Sequence, residues 1–192
     1  VPTLLGSVAG VERLLEHLEV QALGNLESNV HFAILSDFRD APTATASGDE
    51  EILAAAVEGI TALNRRYAPE TMDRFFLFHR DRLWNPQEGV YMGWERKRGK
   101  LEEFNRLLRH PDDPAFRVKV GDVSILPSIR FVLTLDTDSR LPRGAARSLI
   151  GILFHPINRP VLDPVETSVT QGYAILPPRV TVSNSSQLGS LF

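Results

Sequence analysis

Along the chain, short uninterrupted apolar runs alternate with stretches whose apolar residues recur every three or four positions, the signatures of buried strands and amphipathic helices. Leu4 and Leu5 lead through Gly6 and Ser7 into Val11, Leu14, Leu15 and Leu18, one stripe on a first helix. Residues 30–35 form a second strand-length run that stops at Ser36 and Asp37. Ser47 and Glu50 match a capping box ahead of Ile52, Ala56, Ile60 and Leu63, predicting a second helix that ends near Tyr67, Ala68 and Pro69. Residues 74–79 supply a third strand, and residues 80–93 read as a loop. The basic cluster Arg96-Lys97-Arg98-Gly99-Lys100 then opens a helix carrying Leu101, Phe104, Leu107 and Leu108, stopped by Pro111 and Pro114. After a short segment at 116–120, the run 129–135 reads as a central strand that ends in Asp136-Thr137-Asp138. Ala146, Leu149, Ile150 and Leu153 mark one more helix, halted at His155-Pro156, and residues 172–176 a last strand. Strands alternating with helices predict an α/β class, with a mostly parallel sheet, right-handed crossovers and flanking helices.

At 192 residues the chain fits one domain, or one domain with an attachment, and is long enough to bury a substantial core. Its first residues read as the middle of a strand, the start expected of an excised piece. Residues 1–182 are expected to form the folded part, and residues 183–192 a truncated tail. With 21 basic and 24 acidic residues, the net charge of -3 gives no reason to expect a nucleic-acid surface, so any phosphate binding must be local. Cysteine is absent, which excludes disulfides, thiolate metal sites and a cysteine nucleophile. No apolar run approaches the roughly 18 to 20 residues of a membrane span.

In an open α/β sheet, ligands collect at the carboxyl ends of the strands. Four polar groupings are candidates to converge there: Ser7, then Asp37 with Asp40, the basic cluster, and Asp136 with Asp138. Two carboxylates one residue apart raise one another's pKa, and a hard divalent ion bridged to phosphate relieves them. Asp136 and Asp138 are therefore candidate metal ligands, although Asp138 or Ser139 also suits a turn or helix cap. Acids beside a base or ribose, cations on a diphosphate and a metal between phosphates would together make a nucleotide-diphosphate site. Lys100 near a helix start suits a phosphate, although most charge runs are solvated faces. Asp37 serves equally well as an Asx-turn residue. Trp84, Tyr91 and Trp94 suit stacking on a sugar face, but also plain packing, and His79 reads as a structural residue at a strand end. There is no Gly-x-Ser-x-Gly elbow and no glycine-rich phosphate loop.

Several stretches together carry a resemblance. They are Asp73-Arg74-Phe75-Phe76-Leu77-Phe78-His79-Arg80, Trp84-Asn85-Pro86, Gly93-Trp94-Glu95-Arg96-Lys97-Arg98-Gly99-Lys100, and Thr134-Leu135-Asp136-Thr137-Asp138-Ser139-Arg140. His155-Pro156-Ile157-Asn158-Arg159-Pro160 and Gly172-Tyr173-Ala174-Ile175-Leu176-Pro177 extend it. With these residues the sequence resembles the glycosyltransferase domain of cyclic β-1,2-glucan synthases. The resemblance implies a glycosyltransferase type A fold, truncated on its C-terminal side, that uses UDP-glucose. It implies Mg²⁺ or Mn²⁺ on Asp136 and Asp138 against the diphosphate, Asp37 near the uridine and Lys100 near the phosphates. It further implies inverting glucosyl transfer to a growing β-glucan acceptor, in a parent at the cytoplasmic face of the bacterial inner membrane.

Related inverting transferases carry their catalytic base well downstream of the paired aspartates. Glu166 is the only glutamate after Asp138 and matches no motif, so the base is expected beyond Phe192 and the isolated piece is expected not to transfer glucose. Two rivals stand beside this reading. An Asp-nucleophile phosphatase of the haloacid dehalogenase type fits poorly, because it wants Thr or Val where Arg140 stands. A non-catalytic piece that serves only as packing surface is the other.

Overall fold

The computed structural model describes residues 1–67, 72–165 and 168–178. Contacts divide the chain into a unit at residues 1–144 and a smaller one at 145–192. The first is built on a four-stranded sheet, β1 (Pro2–Leu5), β2 (Phe32–Phe38), β3 (Phe75–His79) and β6 (Val118–Val120), in that spatial order. β1, β2 and β3 run parallel, and β6 joins β3 antiparallel, so the expected mostly parallel α/β sheet is present. Two crossover helices, α1 (Val8–Gly24) and α2 (Asp49–Tyr67), link the parallel strands. Ser7 caps α1 by accepting the Gly10 N–H.

Alternation along the strands feeds two cores. Ile34, Phe38, Phe75 and Leu77 pack with Val11, Leu18, Ala56 and Ile60 of α1 and α2. Leu35, Phe76 and Phe78 face the other way, onto Phe104 and Leu107 of α3 (Arg96–Arg109), with Phe116, Ile125 and Leu126. A strand apolar on both faces reads as an unbroken hydrophobic run, which is why β3 was visible in the sequence. Its ladder is extended by a side chain. Where β6 no longer reaches, Asn64 of α2 accepts the Arg74 and Phe75 N–H groups and donates to the Phe75 carbonyl at 2.8 Å. Asn64→Ala is expected to cost about 2 kcal/mol, because buried backbone groups lose their partner. Urea unfolding should show a lower midpoint at unchanged slope.

Several expected elements differ. Residues 129–135 are not a strand but coil, with Val132 and Leu133 exposed. Ile129 packs on the second core, but the run belongs to none of the sheets formed by the described residues. β2 begins at Phe32 and runs on to Phe38, so Asp37 lies inside the strand rather than in the loop after it. The Ser47–Glu50 box does not form. Instead Asp49 begins α2, accepts the Ala46 N–H at 2.7 Å and takes Arg82 on both oxygens. Residues 80–93 hold a hairpin, β4 (Leu83–Asn85) with β5 (Val90–Met92), rather than a plain loop. α2 reaches Tyr67 as expected, and Ala68 and Pro69 lie outside the described residues.

The smaller unit contains α4 (Ala145–Phe154), a short 3-10 turn at Pro156–Asn158, and the hairpin of β7 (Val161–Leu162) and β8 (Val169–Gln171). The helix stops at His155 as predicted, where the His155 imidazole accepts the Ile157 N–H. The strand expected at 172–176 is absent because the chain turns at Gly172, whose φ of +73 brings it against the Arg159 carbonyl. Glu166 and the tail 183–192 lie outside the described residues. Among the described residues, no helix is long and apolar enough to cross a membrane.

Candidate functional site

The register of the parallel strands builds the centre of the site. Ser36 lies opposite His79, so the next pair is Asp37 and Arg80, both on the α3 face of the sheet. Arg80 Nε and Nη2 donate to the two Asp37 oxygens at 2.6 and 2.8 Å. Its Nη1 donates to Glu103 at 2.5 Å and to the Trp94 carbonyl at 3.1 Å, and Nη2 also reaches the Arg96 carbonyl. All five guanidinium N–H groups thus have acceptors. Burial works against the Arg80 charge, but the carboxylates of Asp37 and Glu103 outweigh it and hold the pKa above its ordinary value.

Lys100 is 2% exposed. α3 begins at Arg96, so Lys100 lies in its second turn, on the same inward stripe as Phe104 and Leu107. Its ammonium donates to the Thr3 carbonyl of β1 and pairs with Asp37 at 3.0 Å. Burial pushes its pKa down, and Asp37 opposes that push. The cluster of two cations and two carboxylates is internally neutral. The ammonium is held inside the fold, one turn into α3, rather than at the surface of the helix start. Gly93 makes room for the cluster, since a Cβ there would lie 2.4 Å from the Asp37 carboxyl carbon.

The paired aspartates lie differently. Asp136 and Asp138 sit in a surface turn closed by the Ser139 N–H on the Asp136 carbonyl at 3.0 Å, and the Asp136 side chain is 56% exposed. Lys97 of α3 forms an ion pair with Asp136. From α1, His17 and Gln21, one turn apart, meet the Ser139 carbonyl at 3.0 and 3.3 Å. The structure thus joins Asp37 and Lys100 directly. It connects Asp136 to them through Lys97, whose neighbour Arg96 is held by Arg80. Among the described residues, no group of three His, Asp or Glu side chains gathers as a metal site. The two exposed carboxylates suit a hard ion whose remaining ligands are phosphate and water oxygens.

A second framework ties the hairpin down. Arg82 grips Asp49 and the Arg39 carbonyl, with its guanidinium 4.8 Å from the Phe38 ring centre. Ala41 and Tyr91 exchange backbone hydrogen bonds at 3.0 and 2.8 Å, and Arg96 bridges Asp40 and Glu88. Arg80, Glu103, His17 and Gln21 were missed in the sequence. Two signals were present: Glu103 and Lys100 share a helix face three apart, and Arg80 follows its strand one position beyond His79.

No family model matches the sequence. The chain is 46% identical over 184 residues to the cyclic beta-(1,2)-glucan synthase NdvB of Rhizobium meliloti (strain 1021). It is similar to one short stretch of that synthase. The match takes in 95% of this chain and 6% of NdvB, so the chain spans a small fraction of that relative's length. At this identity the resemblance seen in the sequence extends over nearly the whole chain.

Proposed function

We propose that this chain forms the donor-nucleotide part of an inverting glucosyltransferase of type A fold that uses UDP-glucose to build a cyclic β-1,2-glucan. The observation that carries this reading is the exposed Asp136-Thr137-Asp138 turn beside Lys97, in a chain similar to NdvB along 95% of its length. Asp136 and Asp138 would hold Mg²⁺ or Mn²⁺ against the diphosphate. When bound, the ion supplies Lewis-acid stabilisation of the leaving diphosphate. Lys97, released from Asp136, would then meet phosphate oxygens.

Asp37 and Lys100 belong to the donor side as positioning residues. Both Asp37 oxygens are held by Arg80 and Lys100, and the cluster fixes the backbone from Trp94 to Lys97 that carries the phosphate-facing cation. The acceptor in the parent is the growing β-glucan. No described residue is assigned as the base that deprotonates its hydroxyl, so the part of the reaction proposed for this chain is donor binding.

Thermal unfolding with UDP and Mn²⁺ tests the reading. A ligand at about one hundred times its dissociation constant adds roughly 2.7 kcal/mol of apparent stability. The gain should need nucleotide and metal together and vanish in Asp136→Ala and Asp138→Ala. No gain at millimolar nucleotide would leave the chain a packing piece.

A further inference from the structure

The hairpin and the start of α3 border a half-open surface cleft of about 460 Å³, within the range of small-ligand pockets. Its lining includes the chain's two tryptophans, Trp84 at 52% and Trp94 at 41% exposure, with Gln87, Glu88, Glu95 and Arg96. Indoles left this open present apolar area that a ligand can cover. The Trp84 ring already leans on Tyr91, 5.2 Å between centres. Asn85 is committed to the turn, accepting the Gln87 and Glu88 N–H groups, and Arg96 is held by Glu88. Glu95 has only a loose pairing with Arg98 at 3.5 Å.

Charge decides the ligand class. Glu88 and Glu95 against Arg96 leave the lining with one net negative charge, which disfavours a phosphate or carboxylate ligand. Indoles beside a loosely held carboxylate and an amide match a neutral pyranose, which has an apolar C–H face and a rim of hydroxyl donors. The wall is also pre-set. Glu95 and Arg96 both take left-handed backbone, φ 49 and 45, a conformation that costs non-glycine residues of order 1 kcal/mol or more each and persists only when its surroundings enforce it. Arg80 enforces it by bonding the carbonyls of Trp94 and Arg96 on either side. Gly99 lets Trp94 settle on the helix, since a Cβ there would lie 2.2 Å from the Trp94 carbonyl oxygen and 2.7 Å from its ring.

We propose that this pocket is a binding site for a neutral β-linked glucosyl oligosaccharide, with sugar rings against Trp84 and Trp94 and hydroxyls donating to Glu95. The choice of glucosyl units rests on the proposed function; the neutral-saccharide class rests on the pocket alone.

The test is titration of the 192-residue chain with linear β-1,2-glucooligosaccharides, by calorimetry and by tryptophan fluorescence, which reports only Trp84 and Trp94. Saturable binding is expected, insensitive to UDP with Mn²⁺. It should weaken about tenfold in Trp84→Ala and in Trp94→Ala, and also in Gly99→Ala, which displaces Trp94. It should persist in Asp136→Ala. Three results would each overturn the proposal: no saturable signal at millimolar sugar, unchanged affinity in folded Trp84→Ala and Trp94→Ala, or displacement of the sugar by UDP. Sugar binding without any UDP and Mn²⁺ stabilisation would keep the pocket and reject the donor site, and the converse would keep the donor site and reject the pocket.

Discussion

Replacing Asp37 by alanine is expected to destabilise the chain by about 3–5 kcal/mol, the cost of leaving buried cations without their counter-charge. Asp37 is 1% exposed, and it is the carboxylate that Arg80 and Lys100 share. Without it, Lys100 keeps only the Thr3 carbonyl and Arg80 loses two of its five acceptors. Glu103 cannot take over, because its partner atom is Arg80 Nη1 on the far side of the fork. Urea unfolding measures the loss directly, and a cost under about 1 kcal/mol would mean that water reaches the cluster. The quadruple change Asp37→Leu, Arg80→Met, Lys100→Met, Glu103→Leu separates architecture from function. Apolar replacement of a whole buried ionic group is often neutral or stabilising, so the quadruple variant should recover most of the stability. It should nonetheless lose UDP-dependent stabilisation, since nothing then fixes the backbone between Trp94 and Lys97.

The parts of this fold that a sequence can announce are those governed by periodicity. Residues 75–78 are apolar at every position because both faces of β3 are covered, and α1 and α2 carry their stripes openly. The same logic fails at 129–135, where a largely apolar run is coil with Val132 and Leu133 exposed, outside the sheets that the described residues form. At the site, Asp136 and Asp138 were legible because surface carboxylates one residue apart need no tertiary context to stand together. Asp37 and Lys100 were legible as residues but not in their surroundings. An acid at the end of an apolar run reads as a turn residue until the register sets an arginine opposite it. A lysine in a basic run reads as solvated, yet its spacing to Phe104 and Leu107 was that of a buried stripe. The hairpin pocket was hidden for a different reason: it depends on left-handed backbone at Glu95 and Arg96, which no propensity of those residues foretells.

Acid is expected to unfold the chain in a window set by His79. Burial pushes this imidazole's pKa from 6.5 down to about 4, against the pull of Asp37 and Asp81. Its Nδ1 shares a hydrogen bond with the Ser36 hydroxyl at 2.9 Å, and that hydroxyl lies 3.4 Å from the Phe78 carbonyl. Nε2 is buried and has no hydrogen-bond partner among the described residues, so a second proton would enter a dry site beside the Phe38 ring. The folded state therefore holds His79 neutral while the unfolded chain takes up a proton. Where the unfolded state binds more protons, stability rises with pH. The contribution is complete above pH 6.5 and is lost as pH falls from 6.5 to about 4. At about 1.36 kcal/mol per pKa unit it amounts to roughly 3 kcal/mol. His31, also lowered chiefly by burial, adds a smaller loss of the same sign. Asp49 and Asp113, both held below 3.8, the first mainly by Arg82 and the second mainly by Arg106, act only in more acidic solution. Urea midpoints between pH 7 and pH 4 should thus fall steeply in the parent chain and flatten in His79→Gln, with His31→Gln flattening them less. An equally steep fall in His79→Gln would place the acid sensitivity elsewhere in the chain.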